Sequence, residues 1–152
     1  MLVFLSLVSL ALAGEQTIAP SALPAAVTAA VQARVPGATI TSASQEGKTY
    51  EAGVRLGDRK LDLAFSADGT WLEEEERVAA ADLPAAVTAT LANKWKGWTV
   101  RRAERSTTPK GTVIEVVVDQ GERWAEVAMS EDGAVQKVEK GNKEEGEEEE
   151  GD

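Results

Sequence analysis

Apolar residues recur along this chain first at helical and then at strand spacing, and they do so twice. Leu23, Val27 and Val31 follow one another every four residues with Ala26 and Ala30 beside them, the single apolar stripe of a helix. Leu83, Val87, Leu91 and Trp95 repeat it. Pro24 falls in the first turn, where its missing N–H costs no hydrogen bond, and Pro36-Gly37 ends the helix. In the second copy Asp82 is the expected N-cap and Gly97 the stop. The period then drops to two, as in strands with one covered face. Tyr50, Ala52, Val54 and Leu56 alternate with Glu51, Gly53 and Arg55, and Leu61, Leu63 and Phe65 alternate with Asp62 and Ala64. A two-residue loop at Gly57-Asp58 would set Val54 opposite Leu61, Ala52 opposite Leu63 and Tyr50 opposite Phe65. With Gly121-Glu122 as loop, Val118 meets Ala125, Val116 meets Val127 and Ile114 meets Met129. Leading strands at 38–44 and 98–104 and closing strands at 71–75 and 135–139 complete each copy, the closing strands entered through Asp68-Gly69 and Asp132-Gly133.

The copies share literal sequence. LPAAVTA stands at Leu23–Ala29 and at Leu83–Ala89, an offset of 60 that also matches Gly37 to Gly97 and Thr39 to Thr99. An insertion near Pro109 raises the offset to 64, which matches Gly57 to Gly121, Arg59 to Arg123 and Gly69 to Gly133. The expected fold class is therefore α+β: two tandem helix-plus-antiparallel-sheet repeats of about four strands each, helices on one face of the sheet and the other face open. The expected organisation is a signal peptide at 1–13, a turn-forming leader at 14–21, repeat 1 at 22–76, repeat 2 at 77–140 and an acidic disordered tail at 141–152.

Composition narrows the chemistry. Of the 152 residues none is cysteine and none histidine, which removes thiolate nucleophiles, disulfides, the commonest general base and the commonest metal ligand. The formal charge of -10 is uneven, since residues 144–152 hold seven acids and no base. The remainder is nearly balanced and lacks the basic excess that phosphate backbones require, so nucleic acid is not an expected partner. Leu2–Leu12 is apolar, too short to span a bilayer, and followed by the small-x-small set Ala11-Leu12-Ala13, as in a secretory signal. The competing reading is a buried amino-terminal strand. A periplasmic or secreted protein without stable membrane insertion is expected.

The order Leu-Pro-x-x-Val, Val-Pro-Gly-Ala, Tyr-Glu-x-x-Val and Leu-Asp-Leu-x-Phe-Ser-x-Asp-Gly, closed by an acidic strand, resembles the PepSY-like family of exported bacterial proteins, also described as beta-lactamase-inhibitor-like, over residues 22–140. The second copy departs from it more, with Lys94-Trp95-Lys96-Gly97 for Arg34-Val35-Pro36-Gly37 and Ile114-Glu115 for Tyr50-Glu51. The resemblance implies a sheet that serves as a binding surface. In beta-lactamase inhibitors of this architecture a tandem pair presents a concave sheet to an enzyme, and related PepSY domains occur in metalloprotease propeptides. It carries over no catalytic residue.

Alternation places Glu51, Arg55, Lys60 and Asp62 on the outer face of the first copy and Glu115, Val117, Asp119, Trp124 and Glu126 on that of the second. Trp124 stands where the first copy has Lys60, and a tryptophan on a charged strand face is a candidate interface anchor. The competing reading is packing against Val117 or a loop. The candidate partner-binding residues are Trp124, Val117, Glu126, Lys60 and Arg55. Trp71 faces the core if the loop at Gly69 carries a bulge and the outer face if it is a strict two-residue turn, and Val135 favours the first. Trp95 and Trp98 are expected in the core. Glu73–Glu76 point alternately to opposite faces and cannot converge on a metal. Ser66, Ser130, Lys48 and Asp62 have no companion base, so no nucleophile, cofactor or metal site is assigned. The expected function is a non-enzymatic exported binding module, an inhibitor or regulator of an envelope hydrolase acting through the outer sheet face. The alternative is a structural or envelope-stress protein of the periplasm without an enzyme target. The partner and the oligomeric state are not legible.

Overall fold

The structure, a computed structural model, describes residues 14–143; the signal-peptide reading of 1–13 and the acidic run 144–152 lie outside the described residues. The strands are β1 (Glu15–Ile18), β2 (Thr39–Glu46), β3 (Thr49–Leu56), β4 (Arg59–Ser66), β5 (Trp71–Arg77), β6 (Thr99–Thr108), β7 (Gly111–Gln120), β8 (Arg123–Met129) and β9 (Val135–Asn142). The helices are α1 (Ala25–Arg34) and α2 (Ala85–Lys94), each preceded by a three-residue 3-10 turn. The strands follow one another from β1 to β9 in a single nine-stranded sheet. This corrects the expected fold class: the described residues form not two helix-plus-sheet repeats but mostly sheet, nine strands with two ten-residue helices among them.

Three local causes shift the balance from helix to strand. Glu15–Ile18, read from sequence as a turn-forming leader, pairs antiparallel with β2, Ile18 opposite Ala43. The four-residue insertion near Pro109 lengthens both strands of a hairpin, so β6 and β7 are ten residues each where β2 and β3 are eight. The helices also start late. Leu83 is held extended (φ -63, ψ 145) because a residue before proline is pushed out of the helical region. Pro84 is therefore the N-cap, without a side-chain hydrogen bond, and Asp82 lies back in the 3-10 turn instead of capping α2 as expected.

Backbone contacts divide the chain into two compact units, Met1–Glu76 and Arg77–Asp152. In the first, Leu23, Val27, Val31 and Val35 from and around α1 pack with Ala43, Ala52, Val54, Leu61, Leu63 and Phe65 of β2, β3 and β4. In the second, Leu83, Val87 and Leu91 pack with Ala103, Ile114, Val116, Val118, Ala125, Val127 and Met129. The hairpin registers are those expected: Val54 pairs with Leu61 and Ala52 with Leu63, and Val118 pairs with Ala125 and Val116 with Val127. Each fully buried aliphatic side chain contributes ~1.5–3 kcal/mol by leaving water.

The second turn of each unit docks its helix. Gly69 N–H donates to Ser66 O at 2.9 Å and Ser66 N–H to Thr70 O at 2.9 Å, and the register shifts between Ala64 and Phe65. That bulge pairs Phe65 with Trp71, so Trp71 packs against the core and Leu72 is exposed. Arg34 closes over the indole with its guanidinium 3.4 Å from the ring centroid, and its Nε donates to Glu74 Oε2 at 2.7 Å. Gly133 N–H bonds Ser130 O in the same way, and Thr90 Oγ1 of α2 donates to Gly133 O at 2.8 Å.

Candidate functional site

In the second unit every residue alternate to the core series lies on the sheet face away from α2. Antiparallel pairing sets these residues in rows: Arg102, Val117, Glu126 and Glu139 in one, and Asp119, Trp124 and Gly141 in the next. Val117, Trp124 and Glu126, singled out from sequence, are thus brought together, Val117 directly opposite Glu126 and Trp124 two residues along β8. All three are half-buried. Charge pairs surround them: Arg101 and Lys143 approach Asp119 at 3.3 and 3.1 Å, Arg102 lies 3.8 Å from Glu104, and Lys137 pairs with Glu139.

The Trp124 indole packs on β9. A Cβ added at Gly141 would lie 2.7 Å from Cε2, Cζ2 and Nε1 of Trp124, so the indole lies over the bare backbone of β9 at its cross-strand partner. Sequence reasoning missed this because 141–152 was read as tail, whereas β9 runs to Asn142. The signal was present: at the offset of 64, Gly141 corresponds to Arg77, the last residue of β5.

Arg55 and Lys60 are cross-strand partners in the first unit and both are exposed, forming a basic pair at one end of its outer face. Glu51, Asp62, Glu73 and Glu75 lie further along that face. Burial first, then the charges of Glu15, Asp62, Glu46 and Glu73, push the Glu51 carboxyl above its ordinary value. Among the described residues no three acids converge as a metal site.

At the end of the second unit Lys94, Trp95, Trp98, Arg123, Trp124, Lys140, Gly141 and Asn142 line an open cleft of 460 Å³. Trp95 and Trp98 do pack against the core, as expected, yet both remain half-exposed and form the cleft wall. Arg123 lies 5.3 Å from the Trp98 ring centroid and donates to Gln120 Oε1. No helix among the described residues is long and apolar enough to cross a membrane.

Comparison with solved structures places this geometry. A BLIP-like protein from Bacteroides fragilis NCTC 9343 superposes with a TM-score of 0.68 at 25% identity, covering 76% of this chain and 84% of that one. A DUF2874 family protein from Bacteroides uniformis ATCC 8492 superposes at 0.70 with 19% identity, covering 77% and 88%, and shares the fold. Comparison with curated proteins finds no match. The model of one family matches residues 13–64 and 48–137, two overlapping segments that span both copies of the duplication, and the chain belongs to that beta-lactamase-inhibitor-like, PepSY-like family.

Proposed function

We propose that the protein is a non-enzymatic, exported binding module that holds a protein partner on the outer face of its second unit and restrains an envelope hydrolase. The observation that carries this reading is Trp124, half-exposed beside Val117 and seated over Gly141 within a paired-charge surround. A large aromatic whose position is already fixed binds with little further loss of side-chain freedom, and such residues dominate interface energetics. The charge pairs around it disfavour wrong partners more than they add affinity. Likeness to a BLIP-like protein and a sequence without histidine or cysteine support restraint of an enzyme over catalysis. Arg55 and Lys60 enter the proposal as a basic contact of the first unit. In domain terms, residues 22–76 and 77–140 are the two PepSY-like copies behind a cleaved signal at 1–13.

The test is inhibition. Purified protein is titrated into periplasmic peptidase and β-lactam-hydrolysing activities from native cells, alongside a Val117→Asp/Trp124→Ala variant. Saturable inhibition of one activity by the native protein, requiring at least about tenfold more of the variant, is expected. Inhibition of none, or equal inhibition by both, contradicts the reading.

A further inference from the structure

The two copies match most closely in their core and differ most at one corner, where the second unit has built the cleft. Val35 and Ala38, 7% and 6% exposed, correspond to the half-exposed Trp95 and Trp98. Lys60 corresponds to Trp124, Arg77 to Gly141, and Glu76 to Lys140. In the first unit Arg59 forms a two-toothed pair with Glu76, at 2.8 and 3.0 Å. The corresponding position opposite the second-unit strand holds Lys140, so Arg123 turns to Gln120 and the Trp98 ring. The outcome is a recess beside the indoles of Trp95 and Trp98, with Lys94, Arg123 and Lys140 in its lining and, among the described residues, no carboxylate there, on a chain whose formal charge is -10.

We propose that this cleft takes an acidic peptide segment of a partner protein, one aromatic side chain lying against Trp95 and Trp98 and flanking carboxylates meeting Lys94, Arg123 and Lys140. The proposal rests on the reading of the protein as a protein-binding module and names the chemistry of its partner. Indole walls offer faces and edges to an aromatic ring. The guanidinium of Arg123, already over Trp98, keeps donors for a carboxylate in a fixed fork. Lys94 and Lys140 act as point charges, so affinity falls with salt. At 460 Å³ the recess lies within the range of ligand-binding clefts, ~300–1,000 Å³, and suits one side chain with its adjoining backbone.

The probe is an acetylated hexapeptide of glutamates around one phenylalanine, titrated calorimetrically into the full chain at low salt. Saturable binding is expected, at least about tenfold weaker for a peptide with alanine in place of phenylalanine and for Lys140→Glu, which sets a carboxylate at the position that Glu76 occupies beside Arg59 in the first unit. Lys48→Glu, the same charge change at an exposed site of the first unit, leaves it unaltered. No saturable binding of the hexapeptide, equal affinity of the alanine peptide, or no effect of Lys140→Glu overturns the proposal. So does N-acetylphenylalanine binding as tightly, which makes the cleft a small aromatic-acid site. Binding seen only after residues 144–152 are removed assigns the cleft to the chain's own acidic end and likewise overturns it. Hydrolase inhibition undiminished in Lys140→Glu defeats the cleft while sparing the module reading; peptide binding with no hydrolase inhibited defeats the latter alone.

Discussion

Gly133→Ala and Gly121→Ala place the same methyl group in two turns of the second unit, and the structure assigns them different costs. Both glycines have positive φ, +81 and +61, so each alanine bears the left-handed penalty of ~1–2 kcal/mol. At Gly121 nothing lies within 4 Å of the added Cβ, and the cost stops there. At Gly133 the Cβ would sit 2.4 Å from Ala86 O, 2.8 Å from Ala86 C and 2.7 Å from Thr90 Oγ1. A hydroxyl can rotate away, but the Ala86 carbonyl belongs to the backbone of α2 and yields only if the helix moves. Overpacking of that kind adds ~1–3 kcal/mol, for ~2–5 kcal/mol in all. Urea unfolding followed by tryptophan fluorescence in a Trp71→Phe background reads the second unit alone, since Trp95, Trp98 and Trp124 all lie there. Gly133→Ala should lower the midpoint at least twice as far as Gly121→Ala, with the slope unchanged. Equal losses would refute the seating of α2 on this turn.

Three further outcomes follow from the same geometry. Hydrogen bonds from Ser66 Oγ and the Thr70 backbone N–H hold the Asp68 carboxyl down at about 2, and Asp132 is lowered by Ser130 and Ala134 in the same way. A lowered acid stabilises the fold above its unfolded value of about 3.9 and loses that contribution as pH falls through the folded value. Carbon-detected titration should therefore find Asp68 ionised well below pH 3, and Asp68→Asn should flatten the stability profile between pH ~4 and ~2; an ordinary midpoint contradicts this. Glu51 is raised, so its ionised form opposes folding at neutral pH: Glu51→Gln should raise the melting temperature at pH 7 and low salt, with the gain shrinking at acid pH or high salt. Leu63→Ala empties a site that is 0% exposed and should cost ~2–5 kcal/mol by denaturant unfolding, against less than ~0.5 kcal/mol for the exposed Lys48→Ala.

Hairpin register was legible because two signals agreed: period-two burial and Gly-containing two-residue loops admit one pairing in each copy, and both occur. The sheet-dominated architecture was not. Gln16 and Thr17 carry no apolar alternation, and their strand exists through backbone pairing with Gln45 and Ser44, which local pattern cannot show. Trp124 was legible as a departure between copies. Its seat was not, because Gly141 follows Lys140 into an acidic, glycine-containing run and its strand character comes only from pairing with Trp124. The cleft went unread for a related reason: Trp95 and Trp98 sit at helix-stripe and post-helix positions that point to core, and a half-exposed ring satisfies both roles.

The most direct test of the central claim is photo-crosslinking in native cells with benzoyl-phenylalanine at single positions. Placed at 117 or 126 it should yield one discrete crosslinked partner with hydrolase activity, lost on Trp124→Ala, while position 92 on the exposed side of α2 yields none. No adduct at 117 or 126, or the same adducts at 92, would contradict it.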